Sequence, residues 1–167
     1  MRTMIVSSWL VLALVMTTAF APAIGQSQTT GLTGIDKPGD VVQARQTLMD
    51  GIDTEMHDID QAGAGEAVPL ETLKAHADRI STMLTAFPHL FPPQTQPSPD
   101  APIPTTAAPA VWKEFEDFYG RAMAGAKTAL DASQAATLEQ FRPLGKDLRA
   151  ACDSCHAKYM QVDQPTP

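Results

Sequence analysis

The stretch Leu144-Gly145-Lys146-Asp147-Leu148-Arg149-Ala150-Ala151-Cys152-Asp153-Ser154-Cys155-His156-Ala157-Lys158-Tyr159 carries a helical seam and a chemical motif on one face. Leu144, Leu148, Cys152, Cys155 and Tyr159 recur at spacings of three and four, and Leu138 and Phe141 extend the pattern backwards. That periodicity is the mark of an amphipathic helix packed against a core. At about 100° per residue, Cys152, Cys155 and His156 fall within an arc of about 100°. Two thiols so placed can form thioethers with the two vinyl groups of one porphyrin. The adjacent imidazole can reach the iron from the same side. Cys-x-x-Cys-His therefore reads as a c-type haem attachment site, with one haem c as the cofactor. Because both cysteines lie on the seam, the haem must sit against the interior of the fold.

Three other readings of the same residues compete. A redox dithiol needs a surrounding βαβ pattern, which the sequence lacks. Half of a zinc site needs a second Cys/His pair at ligand spacing, and these are the only two cysteines. A structural pair of cysteines is the third.

Working outward, the 167 residues are enough for one domain once the ends are set aside. Residues 1–25 have the form of a secretory signal: Arg2 as the only charge, an apolar run from Met4 to Phe20, and small residues around Ala21-Pro22-Ala23-Ile24-Gly25. Cleavage is expected after Ala23 or Gly25, with no stable membrane insertion afterwards. Residues 26–37 are expected to form a flexible mature N-terminus. Export agrees with covalent haem attachment, which in bacteria takes place outside the cytoplasm, and places the protein in the periplasm. The formal net charge is −7, with 19 Asp+Glu against 12 Lys+Arg and no basic patch, which argues against nucleic acid as a partner. It favours a redox partner with a basic docking surface.

Four helical stretches fill residues 38–162, the expected domain. Val42, Arg45, Met49, Ile52, Met56 and Ile59 form a seam on a helix from Pro38 to about Gln61, capped by Asp36 or Asp40 and ended by Gly63-Ala64-Gly65. A second helix has Pro69 in its first turn, with Leu73, Ala77, Ile80, Leu84 and Phe87 as its seam. The Pro/Thr/Ala-rich residues 92–110 predict an extended crossover. A third helix opens at Pro109, with Trp112, Phe115, Tyr119, Ala122, Ala126 and Ala129 on one face. The fourth begins near Ser133 or Ala135, and Pro143 either kinks it or marks its true first turn. Residues 163–167 are a polar tail. No strand pattern appears. Two short connections and one long one predict an all-α fold: an antiparallel four-helix bundle with haem attached near the C-terminus.

This arrangement resembles the cytochrome c′ family, including its low-spin, six-coordinate branch. The resemblance rests on Cys152 to Tyr159 at the end of the last helix, Arg45-Gln46-Thr47-Leu48-Met49 in the first helix, Leu90-Phe91-Pro92, and Pro109-Ala110-Val111-Trp112. It spans residues 38–160. It implies an exported haem-binding bundle with His156 as the proximal iron ligand and the position of Met49 facing the distal side. Met49 either ligates the iron or shields it, and Met56, seven residues on, is the second candidate. Homodimerisation is compatible with the resemblance. The family pattern commonly has Arg after the Tyr, where this chain has Met160, which puts the propionate contacts from this helix on Lys158 or Arg149.

Arg45 occupies a seam position where a charge needs a partner; a haem propionate is the expected one, against a side chain that reaches back to solvent. His57, His76 and His89 are expected at the surface, and Trp112 in packing. The function these residues imply is one-electron transfer by a monohaem cytochrome, not an enzyme, since no distal His or acid–base pair accompanies the site. The alternative is a five-coordinate binder of nitric oxide or carbon monoxide that sequesters nitric oxide.

Overall fold

The computed structural model describes residues 37–101 and 103–161. The expected signal segment, all but Lys37 of the N-terminal stretch, and the tail at 163–167 lie outside the described residues. Four long helices form the bundle: α1 (Pro38–Gly63), α2 (Leu70–Ala86), α4 (Phe115–Ser133) and α5 (Leu138–Tyr159), with a one-turn helix α3 (Ala110–Lys113) ahead of α4. The described residues contain no strand, only an isolated antiparallel bridge between Ala107 and Met160.

α1 has the seam its spacing predicts. Val42, Arg45, Ile52, Met56 and Ile59 are buried, joined by Val41 and Ala62. Pro38 occupies its first turn, where the missing N–H has no helical partner to lose. Lys37 holds the cap position without a side-chain bond, so Asp40 is a first-turn residue rather than a cap. Asp36 lies outside the described residues. The helix closes at Gly65, whose φ of +102° suits glycine, while the Glu66 N–H reaches back to the Gln61 carbonyl at 3.0 Å. Pro69 precedes α2 instead of lying inside it, and its carbonyl accepts the first bonds, from Thr72 and Leu73 at 3.1 Å.

The third stretch differs from expectation. The backbone unwinds at Glu114 (φ −127°, ψ 42°), which separates α3 from α4. Phe118, 2 % exposed, is the aromatic that turns inward, while Phe115 and Tyr119 are 40 % and 37 % exposed. Phe118 is drawn in by a cluster of rings from other elements: its centroid is 4.8 Å from Phe91 and 5.2 Å from Tyr159. Below it, Ala122, Gly125, Ala126, Ala129 and Ala132 form a small-residue face that lets α2 approach. A Cβ at Gly125 would lie 3.3 Å from Leu84 Cδ1.

The last helix begins later than predicted. Its cap is Thr137, whose side chain accepts from the Gln140 N–H at 3.3 Å while Gln140 Oε1 accepts from the Ala136 N–H at 2.9 Å. Pro143 lies inside the helix, which continues through it.

Residues 92–110 are held at several points. Trp112 Nε1 donates to the Pro92 carbonyl (3.3 Å), Gln46 Nε2 to the Pro104 carbonyl (2.9 Å), and Ala108 N–H to the Tyr159 carbonyl (2.9 Å). α1 and α5 are the most sparsely packed neighbouring pair of the bundle, and a cavity of about 310 Å³ lies between them. No helix among the described residues is long and apolar enough to cross a membrane.

Candidate cofactor site

The cavity gathers the Cys-x-x-Cys-His residues, Arg45 and both candidate methionines. Cys152, Cys155 and His156 line it from α5, Arg45, Met49 and Met56 from α1, and Thr105, Thr106 and Ala107 from the crossover. Leu84, Phe87 and Phe118 supply further apolar wall. Its volume falls in the range of small-molecule sites, about 300–1,000 Å³. Met49 is half-buried, whereas Met56 is 1 % exposed and belongs to the packed core.

Both thiols are free and half-buried, and burial pushes both pKa values up. That is the opposite of the lowered thiol pKa a redox dithiol needs. Among the described residues no cluster of three or more His, Cys, Asp or Glu is placed to hold a metal ion. Two thiols and an imidazole on one wall, facing apolar side chains, suit a flat group attached through its edge and ligated from α5.

Arg45 is 3 % exposed, and burial lowers its pKa to about 10, so it stays charged at neutral pH. Its Nη1 donates to Thr95 Oγ1 (2.9 Å), and its Nη2 to the Thr95 carbonyl (3.1 Å) and Thr105 Oγ1 (2.9 Å). Its Cζ lies 4.7 Å from the Phe91 ring centroid and 5.5 Å from that of Trp112. Hydrogen bonds and ring faces thus offset the desolvation of the charge. Three of the guanidinium's five N–H groups are committed to the crossover.

Of the two cations expected to stand in for the family's Arg, only Arg149 lines the cavity. It is paired with Asp60 through two bonds, of 3.1 and 2.6 Å. Lys158 turns away to Glu114 (2.7 Å) and Asp117 (2.9 Å). Arg121, which the sequence reading missed, also lines the cavity and donates through Nε to Asp117 at 2.9 Å. The available signal was its position next to Ala122 on the small-residue face of α4. None of His57, His76 and His89 lines the cavity. His57 and His89 are exposed, as expected, but His76 is half-buried. It bridges Glu55 and Asp58 and so ties α2 to α1.

Asp117 accepts hydrogen bonds from Tyr159 Oη (2.5 Å), Lys158 Nζ (2.9 Å) and Arg121 Nε. The Tyr159 hydroxyl, then the two cations, hold its carboxyl well below the ordinary value of 3.8. A carboxyl depressed in the folded state adds stability that is complete above the ordinary value. That stability is lost as pH falls below it toward the folded value. Asp117→Asn is expected to lower Tm only slightly at pH 7, because the group is exposed, and to flatten the acid limb below about pH 4. Coincident acid titrations of parent and variant, followed by circular dichroism, would count against this role.

An all-helical bundle whose last helix carries Cys-x-x-Cys-His in a cavity defines a c-type cytochrome of the four-helix class. The family model described as Cytochrome C' matches residues 40–160, and the chain belongs to that family. Cytochrome c-556 from Agrobacterium tumefaciens strain B2A is 32 % identical over 128 residues, covering 71 % of this chain and 94 % of the relative. Cytochrome c' from Rhodospirillum rubrum is 26 % identical over 141 residues, covering 82 % and 92 %. The crystal structure of cytochrome c' from Rubrivivax gelatinosus superposes with a TM-score of 0.66 at 24 % identity, covering 75 % and 98 %. A nitrosyl complex of a cytochrome c prime variant from Alcaligenes xylosoxidans gives 0.66 at 23 %, covering 76 % and 98 %. Covalently attached haem c with its iron is the cofactor of the family and of this chain.

Proposed function

We propose that this cytochrome is a periplasmic carrier of single electrons. In this reading Cys152 and Cys155 hold the porphyrin through thioethers, His156 is the proximal axial ligand and Met49 the distal one. One observation carries it: a thioether on α1 and an imidazole on α5 line the same cavity between neighbouring helices. When bound, the haem supplies a metal centre that takes up and releases one electron, and a Met/His ligand pair favours the reduced state. The chain's own residues attach the group, fix its two axial contacts and keep water away with the Leu84, Phe87, Phe91 and Phe118 side chains. The two uncommitted N–H groups of Arg45 would be free to hold a propionate. The net charge of −7 suits a redox partner with a basic surface.

A second reading has a specific support. The cavity walls are largely apolar, and an A. xylosoxidans cytochrome c prime variant is known as a nitrosyl complex. Here Met49 shields an open distal face, and the protein binds nitric oxide or carbon monoxide.

The deciding experiment is an absorption spectrum of the exported, haem-loaded chain, ferric and ferrous, before and after carbon monoxide. A low-spin spectrum that carbon monoxide barely changes is expected. A high-spin spectrum that shifts promptly would establish the second reading in its place.

A further inference from the structure

The cavity between α1 and α5 is closed differently at its two ends. At one end the helices touch directly. Asp60 pairs with Arg149, and Gly145 comes so close to α1 that a Cβ there would lie 3.1 Å from Ile59 Cγ2. At the other end the closure is made by Pro104–Ala108. This segment receives Gln46 Nε2 on the Pro104 carbonyl (2.9 Å) and Arg45 Nη2 on Thr105 Oγ1 (2.9 Å), both from α1. Toward α5 it gives the Ala108 N–H to the Tyr159 carbonyl (2.9 Å) and takes the Gln161 N–H on the Thr106 carbonyl (2.6 Å). Thr105 Oγ1 also accepts from the Ala107 N–H at 3.2 Å, which fixes the local turn. Thr105, Thr106 and Ala107 line the cavity themselves.

We propose that Pro104–Ala108 is a strap that sets the separation of the two cavity walls, with Arg45 and Thr105 as its positioning residues on α1 and on the strap. This rests on the reading of Met49 and His156 as the two axial groups, because they sit on the walls the strap joins. Met49 follows Arg45 by four residues, one helical turn, so the anchored turn is the one next to the distal group. His156 precedes Tyr159, the strap's other anchor, by three. Thr105 is half-buried, and a bond from a charged donor to its hydroxyl is stronger than a neutral one, so losing it loosens the anchored end selectively. Arg45 and Thr105 act through the helices and need no contact with the iron.

The test uses the full haem-loaded chain. Thr105→Val keeps the side-chain shape and removes the acceptor; Thr105→Ser restores it. Gln46→Leu cuts the second tie, should the valine variant fail to fold. Two quantities are read: amide hydrogen exchange at Ala108 and Gln161, and the association rate of carbon monoxide with the ferrous protein. Thr105→Val is expected to raise both by about tenfold, with Thr105→Ser near the parent. Faster exchange with an unchanged carbon monoxide rate would overturn the strap. Equal values for the valine variant, the serine variant and the parent would do the same. If replacement of Met49 leaves the spectrum unaltered, the axial reading fails on its own. The strap is still judged by whether Thr105→Val alters the rate at an open site.

Discussion

A chain carrying Cys152→Ser and Cys155→Ser together is expected to yield no covalent haem. Haem-linked peroxidase staining after denaturing electrophoresis should disappear, where the parent stains at its full mass. The argument comes from the chain's own inventory: these are its only two cysteines, and both line the cavity that His156 lines. No other side chain carries the thiol that a covalent link to the porphyrin vinyl groups requires. The second consequence is for stability. The polypeptide leaves about 310 Å³ between α1 and α5. The walls of this space are mostly apolar, so a bound porphyrin would cover surface that the bundle otherwise leaves to water. The porphyrin is thus part of the core. The double variant should melt at least about 10 °C below the haem-loaded parent. A variant with the parent's Tm would mean the bundle closes on itself without the cofactor.

How much of this was legible beforehand differs between elements for physical reasons. α1 is one uninterrupted helix, so the spacing of Val42, Arg45, Ile52, Met56 and Ile59 maps directly onto its buried face. α4 is not continuous with the turn before it. The unwinding at Glu114 rephases the helix, and the adjacent rings of Phe118 and Tyr119 are equivalent in any local pattern. Only Phe91 and Tyr159, distant in sequence, decide that Phe118 goes inside. Cys152, Cys155 and His156 could be read as a unit because their chemistry demands a short fixed spacing along one helix. Arg45 could be recognised as a charge needing a partner, but Thr95 and Thr105, 50 and 60 residues away in a proline-rich segment, could not be named from spacing. The same holds for Lys158. Its place on α5 suggested a role toward the haem, and only the fold brings Glu114 and Asp117 within reach on the opposite side.

Replacing Met49 should have the largest spectroscopic effect, and two substitutions separate its possible roles. Met49→Ala removes the sulfur and most of the side chain. Met49→Leu removes the sulfur and keeps the volume, a swap that ordinarily costs under about 1.5 kcal/mol. If Met49 is the distal ligand, both variants are expected to convert the low-spin spectrum to a high-spin one and to lower the reduction potential. They should also bind carbon monoxide readily. With the sulfur bound in about 99 % of parent molecules, only about 1 % are competent at any moment, so ligand loss raises apparent affinity about 100-fold. If Met49 is instead a shield, the leucine variant should match the parent in spectrum and in carbon monoxide binding, and only the alanine variant should bind faster. Met56 is the internal control. It lines the same cavity from the core, about 10 Å further along α1, so it cannot serve the iron position that Met49 serves. Met56→Leu should therefore leave the spectrum unaltered and register only in stability. A Met56→Leu variant that turned high-spin while Met49→Leu stayed low-spin would move the distal ligand two turns along α1.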